Sequence, residues 1–175
     1  PFFFGHHMEQ VVVQHKQRSA TITREANTTQ YAAGDVIAAS TTAAVASVFN
    51  SCSGPGRSGS IKSVLLVDSA AEATKLNADL FLFHSAPVTF GNDNEAFAPT
   101  DAELQDCVGV VSLDGTTAAN IKVGSGNAVI QNSGLDLPFE CLTTDFSLYG
   151  ILVARNTYTP VSAEAFKIIL GIQQG

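Results

Sequence analysis

A chain of 175 residues, 45% hydrophobic and only 14% charged, is long enough to bury a core, and its apolar content excludes wholesale disorder. Nine Lys and Arg against sixteen Asp and Glu give a net charge of −7, whereas a nucleic-acid binder needs clustered cations to displace phosphate counterions. No apolar run approaches the roughly 20 residues that cross a bilayer, so neither nucleic acid nor membrane is expected as a partner.

Residues 1–18 read as an N-terminal arm and residues 19–175 as one β-sandwich domain. The arm holds Phe2, Phe3 and Phe4, the run Val11, Val12 and Val13, and three of the four histidines, with no turn chemistry to organise them. An undocked tail of this kind is an aggregation hazard. These six apolar residues are therefore the candidate partner-binding set.

Short β-prone pieces separated by turn residues follow. Ala20–Thr23, Val36–Ile37 and Val45–Phe49 are the first candidates, and the Ala/Ser/Thr run from Ala38 to Ser47 reads as a small-residue strand. A Gly/Pro-rich loop at residues 53–59 leads into Ile61–Asp68, with Ile61, Leu65 and Val67 on one face and Val64 and Leu66 on the other. Leu76–His84 opposes Leu80 and Leu82 to Phe81 and Phe83. Apolar residues on both faces require cover on both faces.

Residues 85–100 form the longest irregular stretch. One helical turn is expected at Asp101–Gln105, capped by Thr100 or Asp101. Val108–Leu113 ends at Asp114-Gly115, a hairpin signal. Ile121–Val123, Ala128–Ile130, Leu137–Leu142, Ser147–Arg155 and Ala165–Ile172 complete the set. Many short strands and almost no helical period define an all-β antiparallel sandwich, and among sandwiches a jelly-roll-like one is favoured. Leu65, Val67, Leu80, Leu82, Val110, Leu152 and Ile168 are the expected core.

Cys52, Cys107 and Cys141 are odd in number and widely spaced, without C-x-x-C or a Cys/His group. They read as reduced thiols, with no metal site. His84 reads as bonded to a loop carbonyl rather than catalytic, and Gly124-Ser125-Gly126 is a turn rather than a phosphate cradle. Asn92-Asp93-Asn94-Glu95 lacks EF-hand spacing and reads as Asx-turns. Carbohydrate binding would need exposed aromatic platforms, for which only Tyr31, Tyr149 and Tyr158 are available beside Phe. No catalytic residue and no cofactor are assigned, and the chain reads as a non-enzyme.

The string from Ile22 to Ile37 resembles a family of tailed-bacteriophage virion proteins. The resemblance continues at Leu66–Ser69, Ala78–Phe83, Ala86-Pro87, Asn92–Phe97, Leu148–Tyr158 and Pro160–Glu164, and covers roughly residues 20–172. It implies a virion protein of jelly-roll cement or decoration type, made in the host cytoplasm and bound to the outer surface of an HK97-type shell. Its implied partner is the major capsid protein, and association with copies of itself, as a dimer or trimer, is expected alongside. Alternatives are a tail, collar or fibre-base component, or a receptor- or carbohydrate-binding sandwich.

Overall fold

A computed structural model of the protein describes residues 13–51, 54–70, 72–117 and 121–174. In chain order they form β1 (Gln14–Thr23), β2 (Val36–Ile37), β3 (Ser47–Phe49), β4 (Ser58–Asp68), β5 (Ala78–Phe83), α1 (Asp101–Gln105), β6 (Cys107–Leu113), β7 (Ile121–Val123), β8 (Ala128–Glu140), β9 (Leu148–Ala154) and β10 (Ala165–Gln174).

The first sheet runs β1-β10-β4-β8-β7 and the second β2-β9-β5-β6, with β3 also on β9. β2 pairs with Val153 and Leu152, and β3 with Gly150, Tyr149 and Leu148. They are one edge strand interrupted by a loop. Counting them once, and setting aside the three-residue β7, eight strands remain. In chain order they run first–eighth–third–sixth in one sheet and second–seventh–fourth–fifth in the other. That interleaving is the jelly roll, two Greek keys closed into a sandwich.

The core between the sheets is built from alternate residues of facing strands. Ile61, Val64, Leu66, Phe166, Ile168 and Leu170 meet Leu80, Leu82, Leu113, Leu148 and Leu152, all essentially inaccessible. A second apolar cluster lies on the outer face of the second sheet, where Val36, Phe83, Ile151 and Val153 are covered by Phe90, Phe97, Ala44 and Ala46. Phe81 and Phe97 stack with ring centroids 4.5 Å apart. The double-sided apolar pattern of β5 is therefore answered by the chain's own loops. Thr100 caps α1 in a capping box with Glu103.

Several expectations need correction. Residues 14–18, assigned to the arm, are the start of β1, paired with Gln174 to Leu170. Ala38 to Ala46 is a loop, because the Ser40 hydroxyl accepts the Thr42 and Ala43 N–H groups and turns the chain. Asp114-Gly115 makes no hairpin, since β6 and β7 lie in different sheets. The Asp114 carboxylate instead accepts from Thr116 and Thr117, and Gly115 donates to the Asn77 side chain at 2.6 Å. A Cβ at Gly115 would lie 2.2 Å from the Leu76 carbonyl oxygen. The two segments expected at residues 128–142 are one bulged strand.

A bulge also rephases β4. Ile61 and Ser63 pair with the consecutive residues Ile172 and Gly171 of β10, so Lys62 is an extra residue. Ile61 and Val64 thus both face the core, and Leu65 and Val67 face outward, half-buried. Val110 is 47% exposed on the edge strand β6. Cys107 is free, but Cys141 is disulfide-bonded, against the expectation of three reduced thiols. Cys52 lies outside the described residues.

Candidate functional site

Charged side chains buried in a sandwich must be paired, and the four among the described residues, Arg24, Asp68, Asp93 and Glu164, fall in two linked clusters. In the first, Arg24 and Asp93 make an ion pair at 3.1 Å with both side chains inaccessible. The Tyr31 hydroxyl donates to Asp93 at 2.5 Å and accepts from Arg24 Nε, and the Ala38 N–H donates to the same carboxylate. Burial first, and the Asp93 carboxylate second, push the Tyr31 hydroxyl well above its ordinary pKa. The cluster fastens residues 92–95 to the ends of β1 and β2.

In the second cluster the Tyr158 hydroxyl donates to Glu164 at 2.5 Å and lies 3.3 Å from Asp68. Asp68 and Glu164 are 0% and 1% exposed. Burial first, and then Asp68, raise the Glu164 pKa to about 8. An antiparallel bridge between Tyr31 and Tyr158 joins the clusters.

These are the residues that sequence reasoning missed as a unit. Arg24 and Asp93 are 69 positions apart, and no local pattern links them. The available signal was the resemblance, since Arg24, Tyr31, Asp68, Asp93, Tyr158 and Glu164 all lie in its matching segments. Tyr31 and Tyr158 are consequently buried and offer no platform for a sugar, while Tyr149 is bonded to Asp145.

A groove of about 300 Å³ is lined by His84, Asp106, Glu140, Cys141, Leu142 and Thr143. Ser85 stands beside it, so the residue types of an acyl-transfer triad are close together. They are wired differently: Ser85 donates directly to Asp106, and His84 Nδ1 bonds the Glu140 carbonyl. A serine nucleophile needs the histidine between itself and the acid. His84 is thus bonded to a carbonyl, that of the last residue of β8 rather than of a loop. In the Asn92–Glu95 loop the oxygens face the protein: Asn92 accepts from Ala44, Asp93 holds Arg24, and Glu95 accepts from Asn92.

Of the candidate partner-binding residues, Phe2, Phe3, Phe4, Val11 and Val12 lie outside the described residues. Val13 is 46% exposed and lines a groove of about 410 Å³ with Ser60, Lys62, Pro138, Phe139 and Gln173. The groove opens at one end of the first sheet's outer face. Across that face Ile169 pairs with Leu65, and Val67 with Val129, all four half-buried. Among the described residues, no loop packs on this row in the way that Ala44, Ala46, Phe90 and Phe97 pack on the second sheet.

The strand interleaving makes the chain a jelly-roll β-sandwich. No family model and no curated protein matches it. Among solved structures, the capsid of Ralstonia phage GP4 is similar at 22% identity, over 94% of this chain and 85% of that chain, with a TM-score of 0.35. An overlap that loose transfers neither partner nor role.

Proposed function

We propose that the chain is a non-enzymatic structural protein of a tailed-phage virion: a cement or decoration subunit on the outer surface of an HK97-type shell, bound to the major capsid protein and to copies of itself. The observation that carries this reading is where the resembling segments fall. Arg24, Tyr31, Asp93, Asp68, Tyr158 and Glu164 come from those segments, and all serve to fasten loops to strands. The likeness is then one of scaffold, and it suits a part whose task is to persist in one shape. The half-buried apolar row on the first sheet's outer face supports packing against neighbours. Modest affinity per subunit suffices when many copies act on one shell.

Quantified bands from purified virions test this. A cement subunit should be present at a copy number comparable to the major capsid protein. Six or twelve copies would instead place it in the tail or collar, and absence from virions would refute the virion reading.

A further inference from the structure

The two sheets of this sandwich treat their outer faces differently. The second has cover built into the chain, through Phe90, Phe97, Ala44 and Ala46. The first leaves Ile169, Leu65, Val67 and Val129 as a half-buried row. Small uncharged residues border the row: Ser19 pairs with Ile169, and Ser63 with Gly171. Its charges are cationic, with Lys167 and Lys122 opposite Val67 and Val129. Lys62, in the groove, is paired with Asp136 at 2.6 Å.

The described chain begins on this face. In β1 the core-facing positions are Lys16, Arg18, Ala20 and Ile22, so His15 and Val13 fall on the outer side. Val13 lies in the groove beside Pro138 and Phe139. Twelve residues precede it, among them Phe2, Phe3, Phe4, Val11 and Val12, with Glu9 as the only acid. Fully extended they span up to roughly 40 Å. From the groove to the Val67–Val129 pair is about 20–25 Å at the rise of a strand.

A chain that doubled back onto its own sheet would need a turn near Val13. Between His6 and Arg18 there is no Gly, Pro, Asn, Asp or Ser, the residues that make tight turns. β-branched Val11, Val12 and Val13 favour continuing as an extended chain.

We infer that residues 2–12 of one copy dock on the outer face of the first sheet of a second copy, across Leu65, Val67, Val129 and Ile169, so that copies associate by exchanging arms. Phe and Val side chains meet the apolar row, the groove at Val13 admits the arriving chain, and Glu9 lies among lysines.

Purified chain alone tests this, without shells, so that its outcome is separate from that of the virion reading. Three proteins are compared by light scattering and sedimentation: the full chain, a chain lacking residues 1–12, and the Leu65→Lys/Val67→Lys variant. The full chain should be oligomeric and the other two monomeric. A fluorescent peptide of residues 1–13 should bind the truncated chain, and bind at least tenfold more weakly once Leu65→Lys is added. Should the double variant fail to fold, Val129→Thr with Ile169→Thr provides the same comparison on neighbouring strands. Oligomers that survive loss of residues 1–12 overturn the inference, as does peptide binding indifferent to the face. A monomeric full chain that still masks its face from the peptide also overturns it, because the arm then folds onto its own subunit.

Discussion

Glu164 shows how one buried residue sets the response of the fold to pH. It shares a site closed to water with Asp68 and Tyr158, and its folded pKa of about 8 lies above its ordinary 4.5. The folded state therefore holds a proton that the unfolded chain releases above about pH 4.5. Stability from this group is complete below that pH and falls as pH rises to about 8, by at most about 1.4 kcal/mol per pH unit. Glu103 and Asp114, exposed and held at about 2 by hydrogen bonds from Thr100 and from Thr116 respectively, act with the opposite sign. What they add is present above their ordinary pKa and is lost as pH falls towards 2. Melting temperature should thus decline from pH 5 to pH 9, and Glu164→Gln, which keeps a neutral hydrogen-bonding side chain, should flatten that decline. An equal slope in wild type and variant would rule Glu164 out as its source. Arg24 and Asp93 are the complementary case, a buried pair in which removing one partner strands the other charge. Arg24→Met should cost about 3–5 kcal/mol, and adding Asp93→Leu should restore part of it. Both are read from chemical denaturation, and additive losses would contradict the coupling.

At the scale of elements, the alternation of Leu80 and Leu82 in β5 was readable because a regular strand presents every second residue to the same face. Both are fully buried, as are Leu152 and Ile168. Leu80→Ala should therefore destabilise by about 2–5 kcal/mol, whereas Val110→Ala, at an exposed position of edge strand β6, should stay within about 0.5 kcal/mol. Equal costs at the two positions would mean that the edge and the core are misplaced. Val110 was misread because an apolar run at an edge looks like one at the centre. Leu65 and Val67 were misread because the bulge at Lys62 shifts the phase, and nothing in Ile61-Lys62-Ser63 announces it. Asp114-Gly115 carries hairpin chemistry yet leads from one sheet to the other. The turn residues specify a local bend, which Gly115 makes under the Leu76 carbonyl where a Cβ would clash, and they carry no information about the strand that follows. The sandwich class survives these errors because it rests on many short strands together. The buried clusters were illegible for the opposite reason, since each depends on a few residues brought together from distant segments.

For the whole molecule, charge and apolar surface are segregated in a way that composition could not reveal. With a net charge of −7 and a pI near 4.8, two copies repel at neutral pH over distances comparable to the Debye length, roughly 10 Å at 0.1 M salt. The face inferred to join them carries apolar and small residues with a few lysines, and few acids that a partner's cations could pair. Raising salt screens the overall repulsion and removes little specific attraction, while apolar contact is not weakened. Self-association of the full chain should therefore strengthen between about 0.05 and 0.5 M NaCl, and strengthen again as pH is lowered towards the pI, where the repulsion fades. Sedimentation at a fixed protein concentration measures both trends. An interface made of ion pairs would respond in the reverse sense, dissociating as salt is added. That result would move the contact between copies away from the Leu65–Ile169 row and onto the charged loops.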